Sequence, residues 1–166
     1  MRKKQKGFSL IELLIVVAII LIIAAIAIPN LIRSKMAANE ASAVASIRTI
    51  NTSEVVYSST YNVANVFSGD LKSLGDGGTA GVCTNTFVPT PLAACLIDPA
   101  LERAIPASGT PKSGYYFNYL GGAGTYTVNG DPSAMNSTGG RGFFSDQTVV
   151  IRAKAGAVAG GNDAPI

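Results

Sequence analysis

The chain has 166 residues, which is enough for one globular domain and an appendage. Its 13 Lys and Arg residues outnumber its 10 Asp and Glu residues, but four of the positive charges lie within the first six residues. The sequence pI of about 8.9 therefore gives no support for a nucleic-acid-binding surface. Charged residues make up only 14% of the chain, against roughly 25% in an average globular protein. This composition favours a chain that lies partly in lipid and packs partly against other copies of itself.

A basic leader is followed by a long apolar segment. The leader residues before Gly7 include Arg2, Lys3, Lys4 and Lys6, and Glu12 is the only charge between Phe8 and Ile28. At 1.5 Å per residue this segment predicts a helix of roughly 32 Å, enough to cross a bilayer core of about 30 Å. The four positive charges of the leader outnumber the two positive charges after the segment, at Arg33 and Lys35. We therefore expect the N-terminus to stay cytoplasmic and the rest of the chain to be exported.

Glu12 is an unusual residue for a membrane helix. A carboxylate inside hydrocarbon costs on the order of 2.5–3.5 kcal/mol, although the cost is smaller near the interface. One interpretation is a tolerated boundary charge. The other is a carboxylate that requires a positive partner in the membrane, such as the α-amine formed if the chain is cut before Phe8.

Residues 6–13, Lys-Gly-Phe-Ser-Leu-Ile-Glu-Leu, resemble the processing site of type IV prepilins and of the related type II secretion pseudopilins. The resemblance implies that a prepilin peptidase cuts after Gly7 and N-methylates Phe8. It also implies that Glu12 is the assembly glutamate and that Pro29 softens or kinks the helix. The match is specific over about the first thirty residues and diffuse beyond them.

A secretory signal peptide is the competing interpretation of the same residues. The apolar run 13–23 followed by Ala25-Ile26-Ala27 fits that template and would release a soluble protein beginning at Ile28. Glu12 at the head of the run and the Gly7-Phe8 junction are not features of that template. They favour processing after Gly7.

Beyond Pro29 the pattern becomes amphipathic. One small-residue-rich helical face carries Ala37, Ala41, Val44, Ala45 and Arg48, with Ile47 and Ile50 beside it. This face permits close approach of a sheet or of a neighbouring helix, and core packing explains it equally well. We predict one helix to about Ser58, bent or softened near Pro29 because proline lacks the N–H that the helix requires.

The region 60–112 is irregular and rich in Gly and Pro, with a short helix expected around residues 98–103. Cys83 and Cys95 are the only cysteines. Because export takes them into an oxidising compartment and no His lies nearby, a disulfide is favoured over two free thiols or a zinc site.

The remainder, residues 113–155, predicts an antiparallel sheet. We expect strands at 115–120 and 125–128 around a Gly-rich turn, a loop over 129–142, and closing strands at 143–145 and 148–152. The Gly- and Ala-rich tail 156–166 is expected to fray.

No catalytic constellation, metal site or cofactor motif is visible, so neither a cofactor nor a metal is expected and a membrane-anchored enzyme has no support. The predicted fold class is α+β and pilin-like: a long N-terminal helix packed on a C-terminal antiparallel sheet. The predicted segments are a cleaved leader (1–7), a transmembrane and filament-core helix (8–29), its amphipathic continuation (30–59) and a globular domain (60–166).

The expected function is that of a structural subunit that polymerises through its N-terminal helix into a type IV pilus. The alternative is a pseudopilin of a type II secretion system. The resemblance implies several partners: other pilin subunits, the prepilin peptidase, the inner-membrane assembly machinery, and the membrane before assembly. The filament would lie at the cell surface and serve adhesion, twitching motility or DNA uptake.

Overall fold

The computed structural model describes residues 7–61, 66–79, 81–84, 86–122 and 124–166. The basic leader residues 1–6 lie outside the described residues, as do residues 62–65, 80 and 85 of the predicted irregular region and Ala123 of the predicted turn. The chain divides into two units, Met1–Lys35 and Met36–Ile166. The fold class is α+β, as predicted.

Helix α1 (Leu10–Tyr61) is the longest element, and Pro29 lies inside it. In the first unit the large apolar side chains from Phe8 to Ile32 are all exposed. This part of the described chain contains one helix that is long and apolar enough to cross a membrane. The predicted bend at Pro29 stays a prediction.

The second unit contains the hydrophobic core. Two short helices, α2 (Leu71–Leu74) and α3 (Pro99–Glu102), and a 3₁₀ helix (Pro106–Ser108) precede a four-stranded antiparallel sheet of order β1-β2-β3-β4. Its strands are Tyr115–Gly121, Tyr126–Pro132, Arg141–Asp146 and Arg152–Ala155. The short helix expected around residues 98–103 is α3. The Asp98 side chain caps the N-terminus of α3 by accepting the Leu101 N–H at 2.9 Å.

Helix α1 uses a different face for the core from the one that its small residues suggested. Ala43, Ile47 and Ile50 are buried in the core cluster, together with strand residues such as Phe117 and Phe143. The small-residue face at Ala37, Ala41, Ala45 and Arg48 is exposed, and Val44 is half-buried at its margin. The core-packing explanation of that face is therefore wrong for all but Val44, because the β-branched and larger apolar side chains fill the space above the sheet.

Buried polar side chains fix the register of α1 on the sheet. The Asn51 side chain donates to Ser145 Oγ at 2.8 Å and accepts from the Tyr126 hydroxyl at 2.9 Å. About three helical turns earlier, the half-buried Glu40 carboxylate accepts from Arg141 at 2.8 Å and from the Gly140 N–H at 2.9 Å. A shift of the helix would leave the buried Asn51 side chain and the Glu40 carboxylate without these partners, so the contacts penalise alternative registers.

Glu54 is a fully buried carboxylate in the same helix. It accepts hydrogen bonds from the Ser68 N–H at 3.0 Å, from the Ser68 hydroxyl and from the Tyr119 hydroxyl at 2.5 Å. Three donors replace the water that the carboxylate loses, which is the condition for burying such a group. Glu54 thereby ties the chain just after α1, and the strand β1, to the helix.

Alkaline pH should unfold the second unit. Burial, with the hydrogen bond to Glu54, raises the pKa of Tyr119 above its ordinary value of 10.0, and burial raises the pKa of Tyr115 to about 12. A phenol whose pKa is raised by folding stabilises the fold fully below about pH 10, and that stability is lost as the pH rises through the folded-state pKa. We expect cooperative loss of circular dichroism above pH 10 that coincides with tyrosinate absorbance. Tyr119→Phe should weaken that pH dependence, whereas ionisation of all six tyrosines near pH 10 in a still-folded protein would contradict the prediction.

Two predicted boundaries are wrong. Strand β2 runs on to Pro132, through residues assigned to a loop, because residues 127–130 pair with β3 and 126–132 pair with β1. The last strand begins at Arg152 and not at Thr148, since residues 146–149 form a turn closed by the Val149 N–H on the Asp146 carbonyl at 2.8 Å. Side-chain pattern alone did not reveal these pairings.

The tail after Gly156 is folded, contrary to the expectation that it frays. The Ala153 N–H donates to the Ala164 carbonyl and the Ile166 N–H donates to the Ile151 carbonyl, both at 3.0 Å. Ala159 is buried, and its carbonyl accepts from the Asn129 side chain at 2.7 Å. Backbone hydrogen bonds to the outer edge of β4 order this segment despite its small side chains.

The predicted disulfide between Cys83 and Cys95 is present, with a Cα–Cα distance of 5.7 Å. The Cys95 N–H donates to the Gly75 carbonyl at 2.9 Å, which joins the disulfide loop to the turn after α2. The Glu102 carboxylate fills the space beside Gly75 and accepts from the Asp76 and Gly78 N–H groups. The irregular region is thus held together by one covalent bond and a buried carboxylate.

Replacing both cysteines, Cys83→Ser with Cys95→Ser, should lower the free energy of unfolding by about 3 kcal/mol, because the open chain gains entropy in the unfolded state. Thermal unfolding of the purified protein in detergent, compared with wild type with and without reductant, measures this. Peptide mapping without reductant should recover the linked pair from wild type. An unchanged melting temperature in the double variant would contradict the prediction.

Candidate functional site at the start of the long helix

The first turn of α1 is closed by Glu12. The Ser9 carbonyl accepts the Leu13 N–H at 3.2 Å, which makes Ser9 the N-cap residue, immediately before the first helical residue Leu10. Glu12 Oε2 accepts the Ser9 backbone N–H at 2.9 Å. Glu12 is therefore the third residue of the helix and turns back over its start, which is the carboxylate half of a capping box.

This cap explains how a carboxylate is accommodated at this end of an apolar helix. The first N–H groups of a helix have no partner within it, and they carry the positive end of the helix dipole. Glu12 satisfies one of these donors and places its negative charge near the others. Sequence analysis did not find this role, although Ser9 followed three residues later by Glu12 is the pattern that signals it.

Gly7 and Phe8 lie just before the helix. Both are exposed and have no regular secondary structure, and a Cβ atom placed on Gly7 would meet nothing within 4 Å. A protease requires an accessible, non-helical backbone at the bond that it cuts, and the 7–8 bond has both properties. The structure thus brings Gly7, Phe8 and Glu12 into one short segment, while Pro29 lies further along α1 and the two cysteines lie in the second unit.

The helix that follows presents apolar side chains in every direction. Between Phe8 and Ile32, Glu12 is the only charged residue, and the large apolar side chains are exposed in the single chain. A helix that is apolar on all sides belongs in lipid or in a bundle of helices. This apolar surface therefore has to be buried by lipid or by helices of other chains.

The second unit offers no comparable centre for chemistry. Among the described residues no group of three potential metal ligands comes together. Asp76 and Glu102 form a buried acidic pair, and Asp76 is also bound to Arg103 at 2.8 Å. Burial raises the pKa of Glu102, and the Asp76 carboxyl adds to the effect, while the N–H groups of Asp76 and Gly78 oppose it. Sequence analysis missed both this pair and Glu54, because nothing in their spacing marks them as buried.

An apolar first helix with a glutamate in its first turn, followed by an antiparallel sheet, is a pilin-like arrangement. Residues 2–28 match the family described as the prokaryotic N-terminal methylation motif. Proteins of this class carry the motif at the N-terminus, where this chain has its Gly7-Phe8 junction.

Two curated relatives extend the match beyond the motif. The chain is 32% identical over 108 residues to the type IV major pilin protein PilA of Myxococcus xanthus, covering 65% of this chain and 48% of that protein. It is 33% identical over 115 residues to the type IV wide pilus major component PilA4 of Thermus thermophilus, covering 69% of this chain and 88% of that protein. The chain thus spans about half the length of the Myxococcus relative and most of the Thermus one. No solved structure gave a significant match. The chain belongs to the type IV pilin family.

Proposed function

We propose that this chain is a structural subunit of a type IV pilus and polymerises through the first half of α1 into a cell-surface filament. The observation that carries the proposal is the helix surface from Phe8 to Ile32, which is apolar all round and exposed in the single chain. Before assembly the inner membrane covers this surface, with the N-terminus on the cytoplasmic side. In the filament, the same helix segments of neighbouring subunits cover it.

The transfer from membrane to filament costs little free energy from the hydrophobic effect. Lipid tails are as apolar as the side chains of a helix bundle, so exchange of one cover for the other leaves apolar surface out of water throughout. Packing between helices and pairing of polar groups then decide whether assembly is favourable. Glu12 is the only charged group in this surface, so its pairing carries particular weight.

Cleavage between Gly7 and Phe8 supplies a positive partner for Glu12. The new α-amine has a reference pKa of about 7.7–8.0 and is largely protonated at neutral pH, and N-methylation leaves an amine that still binds a proton. In the filament, the amine of a neighbouring subunit pairs with the Glu12 carboxylate inside the apolar core. Attraction is weakly screened there, and an unpaired charge is costly. Glu12 then selects the axial offset between subunits that pairs it.

The intact mass of the protein from sheared surface filaments tests this proposal. We expect a chain that begins at methylated Phe8 and has lost residues 1–7. A chain that begins at Ile28, recovered from the soluble fraction, would show that the segment is a signal peptide and would overturn the proposal. A deletion strain, assayed for surface attachment, twitching and DNA uptake, assigns the filament to one of these three roles.

A further inference from the structure

Two surface features of the second unit are not explained by the packing of α1 on the sheet. The first is the loop tip, residues 86–92, inside the disulfide loop. The second is the cleft, a cavity of about 370 Å³ between α2, the 3₁₀ helix and β1. One is an apolar projection, and the other is a partly apolar hollow.

The loop tip exposes apolar side chains on a constrained backbone. Val88 and Leu92 are each 77% exposed, prolines occupy positions 89 and 91, and the segment carries no charge. The Tyr57 hydroxyl donates to the Pro91 carbonyl at 2.8 Å, and Thr90 and Ala93 exchange backbone hydrogen bonds at 3.0 and 3.1 Å. With the disulfide, these contacts hold the tip away from the core, so its exposed side chains are presented and do not fold inward.

The cleft has an apolar wall and carries charges of both signs. Leu71, Ile105 and Phe117 line the wall, and Asp70, Lys72 and Glu102 also line the cleft. An apolar wall of this kind can accommodate an apolar side chain from outside.

The loop tip does not fill the cleft of its own chain. The residues that follow the tip are tied to the far end of α2, because the N–H groups of Ala94 and Leu96 donate to the carbonyls of Ser73 and Leu74 at 2.9 and 2.7 Å. The cleft is bounded by the opposite end of α2, at Leu71 and Lys72, and no loop-tip residue lines it.

We propose that the loop tip of one subunit inserts Val88 and Leu92 into the cleft of a neighbouring subunit of the filament. The inference rests on the proposed function. A filament of identical subunits requires two different surfaces that fit each other, since a surface that fits itself closes into a dimer. The loop tip and the cleft meet that requirement on one chain, and their contact removes exposed apolar surface from water.

Cysteine crosslinking in assembled filaments tests the contact. Val88→Cys and Ala107→Cys place one thiol on the loop tip and one at the cleft, at two exposed positions. The double variant should give a ladder of crosslinked subunits on a gel without reductant, whereas each single variant should give none because the two surfaces differ. Val158→Cys with Ala107→Cys is the matched control, since Val158 is an exposed valine in the tail. Peptide mapping verifies that Cys83 and Cys95 stay paired.

Filaments that form without the ladder would overturn the inference and leave the proposed function standing. Absence of filaments from the wild-type chain, fully processed, would overturn the proposed function itself. If the double variant does not assemble, its two single variants are co-expressed, and a crosslinked dimer of the two chains is the supporting result.

Substitution of Val88 gives a second, independent measurement. Val88→Asp should reduce the amount of shed filament at least tenfold, because it places a charge against the apolar wall of the cleft. Val88→Ile, which keeps an apolar side chain, is the matched control and should be tolerated. Normal amounts of filament from the Val88→Asp chain would contradict the contact.

Discussion

Glu12→Leu is expected to abolish filaments without preventing membrane insertion or cleavage after Gly7. The substitution makes the segment more apolar, so insertion improves, but it removes the partner of the α-amine of a neighbouring subunit. Loss of one partner of a buried ion pair costs about 3–5 kcal/mol, which lowers the association constant by a factor of more than about 100. Electron microscopy of shed filaments and immunoblots of the membrane fraction separate assembly from processing. Normal numbers of filaments from fully processed Glu12→Leu protein would show that Glu12 is a tolerated boundary charge.

Glu12→Gln separates the charge from the helix cap. Glutamine can accept the Ser9 N–H as Glu12 Oε2 does, so the first turn of α1 should be retained. It cannot pair with an ammonium group as an anion, so assembly should still fail if the ion pair is what matters. If Glu12→Gln assembles normally and Glu12→Leu does not, the cap and not the charge is the requirement.

Gly7→Leu is expected to block processing completely. The resemblance implies a peptidase that cuts after Gly7, and a residue without a Cβ lets the backbone approach the catalytic site closely. A precursor that retains residues 1–7 keeps the basic leader on the cytoplasmic side and has no free amine at Phe8. We therefore expect precursor in the membrane fraction, seen by intact mass and by slower migration on a gel, and no filaments.

Gly7→Ala is the matched control, because it adds one methyl group where the structure has open space. It should be processed at least partly, and any processed fraction should assemble. If Gly7→Leu is cleaved as efficiently as wild type, the bond that is cut lies elsewhere.

The N-terminal segment was the most predictable part of the chain, because its information is local. A basic leader, a glycine, an apolar run and one carboxylate lie within thirty residues, and helix length follows from the run itself. Helix α1, the short helix at residue 99, the cysteine pair and the α+β class all follow from patterns of neighbouring residues. The capping role of Glu12 is also local, because Ser9 lies three residues before it.

The parts that sequence did not reveal depend on contacts distant in the chain. Residues 129–132 have a polar, Gly-containing pattern typical of a loop, and they form strand only because β1 pairs with all four of them and β3 pairs with residues 129 and 130. Glu54 looks like a surface residue of an amphipathic helix, and its burial depends on donors from Ser68 and Tyr119, 14 and 65 positions away. Periodicity measures the average face of a helix, so it cannot identify a single buried acid on it.

The folded tail protects an edge strand of the sheet and so disfavours aggregation through strand pairing between chains. An uncovered strand at the edge of a sheet is a template for pairing with another chain, and subunits crowded in a membrane or filament meet at high local concentration. Residues 164–166 pair with the outer edge of β4, and Ala104 and Lys112 take the N–H and carbonyl groups of β1 at Phe117 and Tyr115. Because part of each edge is already paired, pairing between the edge strands of adjacent subunits is disfavoured. Truncation of the last few residues, or a tag fused there, would uncover β4 and favour insoluble aggregates.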